Sequence, residues 1–139
     1  VKKTTILDLI SRKLAPFMLL FGLYLLSYGH MSPGGGFQGG VVIASGVILL
    51  FVAQGVEPIS VIFPGREMSL LEAGAFLLFV AAGLAGVAAG IGFLGNPIVR
   101  VDVRAVPRVG MILLFNVLIG LKVGAGISLI CMHLFREER

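Results

Sequence analysis

The sequence predicts an all-α membrane protein with four transmembrane helices and a glycine-rich link between the first two. Three observations carry this. Mean hydropathy is +1.06. Only 13% of residues are charged while 58% are hydrophobic, against roughly a quarter charged in soluble domains. Four apolar runs, at about 14–29, 39–56, 70–94 and 109–135, are separated by short segments rich in Gly, Pro or charge. A soluble fold of 139 residues cannot hide that much apolar surface, because small domains bury only about two-thirds of what the chain exposes. The whole chain, 1–139, reads as one integral membrane domain.

A helix rises about 1.5 Å per residue and the hydrocarbon layer is about 30 Å thick, so a span needs about 20 residues. The third and fourth runs meet this alone. The first is short but extends backwards through "TTILDLISRKLAP", where Ile6, Leu7, Leu9, Ile10 and Leu14 recur at helical spacing. That piece is an interfacial lead-in, and Pro16 either starts the buried helix or kinks a longer one. The second run is short unless it begins inside the glycine stretch. The link between spans one and two therefore lies close to the membrane or partly within it. No small-x-small cleavage site precedes the glycine stretch, so the first run reads as a span and not a secretory signal.

The connections are also legible. "EPISVIFPGREMS" reads as a turn region with Pro58, Pro64 and Gly65. Ser69 and Glu72 are spaced as a capping box that opens helix three. "GNPIVRVDVRAVPR" alternates Arg100, Asp102, Arg104 and Arg108 with apolar residues, as a short extended segment does. Four crossings put both termini on one side. That side carries Lys2, Lys3, Arg12, Lys13, Arg66, Arg136 and Arg139, against Arg100, Arg104 and Arg108 on the other. The positive-inside rule places the termini in the cytoplasm and the glycine link toward the outer face.

The net charge of +4 sits at segment ends, which fits lipid headgroups and excludes a nucleic-acid surface. Two histidines and the single Cys131 lack metal-ligand spacing, so neither metal nor cofactor is expected. His133 and Cys131 fall near the end of the last span. The glycine stretch contains Gly34-x-Gly36-x-x-Gly39, literally a dinucleotide fingerprint, but that motif needs a strand before it and a soluble βαβ unit around it. His30 and Ser32 lack the frame of a nucleophile elbow. A membrane-embedded enzyme is disfavoured on that ground.

Two readings of the stretch survive. Its backbone lines a cation or water passage, since glycines leave carbonyls and amides unobstructed. Alternatively it is a tight turn packed against a partner. Phe37, the one large apolar side chain from Pro33 to Gly40, is expected to anchor it, and Gln38 to satisfy nearby backbone groups.

Lys122 lies near the middle of the last span, where a charge costs about 2.5–3.5 kcal/mol on insertion scales. It either joins a proton path, pairs with a carboxylate on another subunit, or snorkels. Asp102 and Glu72 fall near span ends, so its mate is expected on another protein, and Glu72 is read as a cap. Asn116, six residues earlier, is placed to hydrogen-bond across helices. Ala82, Gly86 and Gly90 on one helix, and Gly120 and Gly124 on another, recur every fourth residue and mark close packing. One of these seams is available to another subunit.

The run from Phe21 to Leu49, with Gly29, His30, Pro33, Gly34, Gly35, Gly36, Phe37, Gly39 and Gly40 in the pattern G-H-x-x-P-G-G-G-F-x-G-G, resembles the MrpB or MnhB family of multisubunit sodium/proton antiporter subunits. The related subunit of membrane-bound hydrogenase complexes is similar. "NVLIGLKVGAG", Asn116 to Gly126, also matches, whereas the tails and the loop from Glu57 to Ser69 match loosely. The resemblance implies an accessory, non-catalytic membrane subunit in a large hetero-oligomer, with other membrane subunits as partners and sodium ions and protons as cargo. A purely structural transmembrane scaffold is the alternative.

Overall fold

The computed structural model describes residues 5–29, 31, 33–95 and 110–137. His30, Ser32 and the Arg100–Arg108 segment lie outside the described residues. Among those described, the chain forms α1 (Thr5–Tyr28), α2 (Gly36–Gln54), α3 (Val56–Ile62), α4 (Gly65–Ala88) and α5 (Gly110–Glu137). Four of them, α1, α2, α4 and α5, are long and apolar enough to cross a membrane. In hydrocarbon every backbone amide must find its partner internally, and a helix does this within its own segment.

The four helices stand in the row α1–α2–α5–α4. The α2 helix is the most buried of them, while α4 packs chiefly on α5 and turns Leu70, Leu77, Leu78 and Leu84 outward. An outward leucine face is stable here because lipid is as apolar as the side chain.

Several expectations shift. The first span starts at Thr5, and Pro16 sits inside it without ending it; the lead-in is one continuous helix with the span, and an Asp8–Arg12 ion pair of 3.1 Å spans one of its early turns. The region around Glu57 is not a plain turn. Val56–Ile62 is helical, and Val56 and Ile59 bury themselves with Val47, Phe51, Met68, Leu129 and Met132. That cluster seals the end of the bundle opposite the glycine link. The expected capping box fails as well. The α4 helix already begins at Gly65, with Pro64 as its non-helical neighbour, so Ser69 and Glu72 lie inside it.

The glycine stretch divides into a bend and a helix start. Gly34 and Gly35 have φ of 157° and 151°, a backbone region that residues with a Cβ rarely adopt. Gly36, Gly39 and Gly40 belong to the first turns of α2 and are buried. A Cβ on Gly36 would come 2.5 Å from the Asn116 carbonyl oxygen, and one on Gly40 2.7 Å from that of Gly120. In return, a Cβ on Gly120 would meet Leu26 of α1 as well as the Gly36 carbonyl, and one on Gly124 would meet the Gly40 carbonyl at 3.3 Å. Gly39 faces the other way, against Gly22 and Leu26 of α1. The start of α2 is thus wedged between α1 and α5, with glycine on both flanks.

The α4 small residues behave differently. A Cβ on Gly86 would meet the backbone of Gly92 and Gly95, and one on Gly83 would meet the Phe93 ring at 2.5 Å. That face receives the chain's own fold-back after the helix. Gly90 has open space around it and φ of 70°, so it serves the turn; Ala82 is half-buried.

The same substitution should have opposite signs at two glycines. Gly40→Ala drives a methyl into the α5 backbone and is expected to cost about 1–3 kcal/mol. Gly74→Ala, in a helix interior with nothing within 4 Å of the added Cβ, is expected to stabilise by about 0.5–1 kcal/mol. Thermal unfolding of both variants in detergent micelles checks this.

Candidate functional site: a lysine–glutamate pair and a glycine bend

Two polar contacts between helices stand out among the described residues, both held by α5. The first joins the glycine bend to α5. The Gly36 N–H donates to Asn116 Oδ1 at 3.3 Å. The first four amides of a helix have no partner within it. No side chain caps α2 at Gly35, so Asn116 supplies an acceptor from a different helix. The expectation of a cross-helix hydrogen bond from Asn116 thereby acquires a partner, and that partner is backbone. Within this chain Phe37 does not bury itself against the bend. It lies in the first turn of α2 with 60% of its surface exposed, because the glycines beside it fill the inward positions. Pro33 is exposed at the start of the bend. Gln38 is exposed too, with its Oε1 3.0 Å from where a Gly35 Cβ would stand.

The second feature gives Lys122 a carboxylate mate within its own chain, not on another protein. Lys122 Nζ donates to Glu72 Oε1 at 3.1 Å. The error followed from the third span's start: counted from residue 70, Glu72 is terminal, but counted from Gly65 it is two turns inside. Because α4 and α5 run in opposite directions, Glu72 comes level with the middle of α5. The side chains are 41% and 35% exposed, so the pair opens on the outer flank of the α4–α5 face. Phe76, one turn along α4, holds its ring 5.5 Å from Nζ. Glu72, Ala73, Phe76 and Lys122 line a shallow pocket of about 230 Å³. Gly126 lies on the same face of α5, and a Cβ there would sit 3.4 Å from Glu72 Oε1. Neither Glu72 nor Gly126 stood out in the sequence as part of a site. The available signal was Gly126 one turn after a mid-span lysine.

Asn116 and Lys122 do not meet. Six residues put them about 9 Å apart along α5 and about 120° apart around it, so Asn116 faces α2 and Lys122 faces α4. Gly120 and Gly124 share the Asn116 side. Chemically, one feature is a fixed backbone-to-amide contact with nothing to titrate. The other pairs an ammonium with a carboxylate, groups able to hold and pass protons or attract a cation. Among the described residues, no three His, Cys, Asp or Glu side chains converge.

Replacing Asn116 with Leu should leave the Gly36 amide without its acceptor, at a cost of about 1 kcal/mol. Faster hydrogen exchange at the Gly36 amide, with α4 amides unchanged, is the expected signature.

Residues 6–129 match the family described as a domain related to the MnhB subunit of Na+/H+ antiporters. The chain is 42% identical over 71 residues to a putative antiporter subunit mnhB2 of Staphylococcus saprophyticus, covering 50% of each chain. It is 37% identical over 83 residues to a Na+/H+ antiporter subunit of Bacillus subtilis, covering 59% of this chain and 57% of that one. An uncharacterised protein of Methanocaldococcus jannaschii is 33% identical over 131 residues, covering 90% of this chain and 50% of the other. The chain spans about half the length of the curated relatives it matches. With the family pattern extending across nearly all of the four-span bundle, the chain belongs to the MnhB-related family of multi-pass membrane proteins.

Proposed function

We propose that the chain is an accessory, non-catalytic subunit of a multisubunit Na+/H+ antiporter, where it helps form the unit that moves sodium ions and protons. Its partners are other membrane subunits, and its termini face the cytoplasm. The observation that carries this reading is the Lys122–Glu72 pair. Two opposite charges stand inside the apolar belt, 3.1 Å apart and half open on the bundle's flank. A mid-span lysine costs about 2.5–3.5 kcal/mol to place there, and a hydrophobic pair would pack as well without a desolvation cost. A function that needs mobile protons or cations accounts for keeping them. The open flank fits contact with a neighbouring subunit, and exposed Phe37 adds a second outward-facing side chain near the bend. Membership in the antiporter-like module of a membrane-bound hydrogenase rests on the sequence resemblance alone.

A purely structural scaffold is the second reading. It is favoured by the glycine contacts, because backbone proximity between α1, α2 and α5 accounts for Gly36, Gly39, Gly40, Gly120 and Gly124 without any ion.

Lys122→Ala, Pro33→Gly and Phe37→Ala separate the two. In membrane vesicles holding the complete complex, Lys122→Ala is expected to assemble normally and to lose sodium-dependent proton exchange by about tenfold or more. Pro33→Gly and Phe37→Ala are expected to assemble with reduced exchange. Unchanged exchange in all three sinks the ion-path reading, and lost assembly supports the scaffold.

A further inference from the structure

Glu72 does more than lie near Lys122. Its whole carboxylate end runs along the α5 backbone at Gly126. A Cβ at Gly126 would stand 3.4 Å from Oε1, 3.5 Å from Cδ and 3.8 Å from Cγ. A Cβ there would rest in ordinary contact with the carboxylate, so only a side chain larger than alanine at this position, one turn beyond the lysine it meets, would displace the carboxylate. Phe76 closes another side of the ammonium at 5.5 Å. From α4 the charged group facing Lys122 is Glu72, and from α5 the charged group facing Glu72 is Lys122; Ala73 and Phe76 complete the lining.

Resting on the reading that Lys122 serves ion passage, we propose that Glu72 is its proton-sharing counter-charge and that Gly126 is a positioning residue for the Glu72 carboxylate. The step is balanced within the pair. An Nζ–H bond breaks and an Oε1–H bond forms, so the ammonium becomes an amine and the carboxylate a carboxylic acid. The sum of charge on the pair stays zero throughout. A proton or cation arriving at the open side then meets a group whose charge can respond to it.

The test uses the intact complex in membrane vesicles, with co-purification of the other membrane subunits measured beside sodium-dependent proton exchange across a range of pH. Glu72→Gln, which keeps the shape and removes the charge, should assemble normally. It should lower exchange by about tenfold or more and displace the pH profile of what remains. Gly126→Ala sits at ordinary contact distance and should give a small loss. Gly126→Leu occupies the carboxylate's seat and should reproduce Glu72→Gln, pH displacement included. Gly74→Ala, in open space on the Glu72 helix, should leave exchange and its pH profile unaltered. Parental exchange and pH profile in Glu72→Gln, beside lost exchange in Lys122→Ala, overturns the counter-charge while the broader reading stands. Parental exchange in Lys122→Ala overturns both. Assembly lost in Gly126→Leu overturns the positioning role, because packing alone then accounts for the glycine, and Glu72→Gln decides the counter-charge by itself.

Discussion

Close backbone approach between α2 and α5 is the contact on which the rest of the bundle depends. In lipid, apolar side chains gain nothing by leaving their surroundings, so helices associate through tight packing and polar contacts. Gly36 and Gly40 on one helix, and Gly120 and Gly124 on the other, remove the side chains that would hold the two backbones apart. Asn116 then reaches the open first turn of α2 and accepts the Gly36 amide. With α2 fixed on α5, Gly39 is presented to Gly22 and Leu26, and α1 closes on the opposite flank. The bend at Gly34 and Gly35 follows from this, since α1 must turn back within a few residues of a helix pressed directly against it.

The same helix carries the polar chemistry on another side. Because α5 devotes its glycine face to α2, its Lys122 face is left for α4. Contact with α4 is looser than that with α2, and the ion pair remains partly open. A buried, fully packed pair would be fixed. This one is bordered by Phe76 on one side and open on another. The apolar cluster around Ile59 and Met132 anchors the far end of α4 and α5, so the two helices hold their register while the pair between them stays exposed. The placement of Glu72 therefore depends on where α4 begins, and Met68 near that start shares the apolar cluster with Val56 and Ile59 of α3.

The four spans, the glycine link and Lys122 as the mid-span charge were legible in the sequence because hydropathy, residue size and charge are local properties. Lipid enforces them residue by residue: a stretch long and apolar enough to span does so, and a lysine at its centre is conspicuous. The motif around Gly34–Gly40 also carried the family, which the match over residues 6–129 then showed. Element ends were less legible. Ser69 and Glu72 have the spacing of a helix cap, but the chain from Gly65 onward is already helical, and no local signal ranks one plausible start above the other.

Sequence by itself determined how many times the chain can cross the membrane, where it bends, and which residues are too costly or too small to be incidental. Only the tertiary structure decided who meets whom. Gly36, Gly39 and Gly40 face two different helices because consecutive positions on an α-helix point about 100° apart. Phe37, between them, is turned outward for the same reason. Glu72 and Lys122 are 50 residues apart in the chain. They meet because antiparallel packing of α4 on α5 sets their depths equal, with Gly126 lying beside the carboxylate. Pairing at that distance is fixed by the relative rotation and register of two helices, which local pattern does not encode.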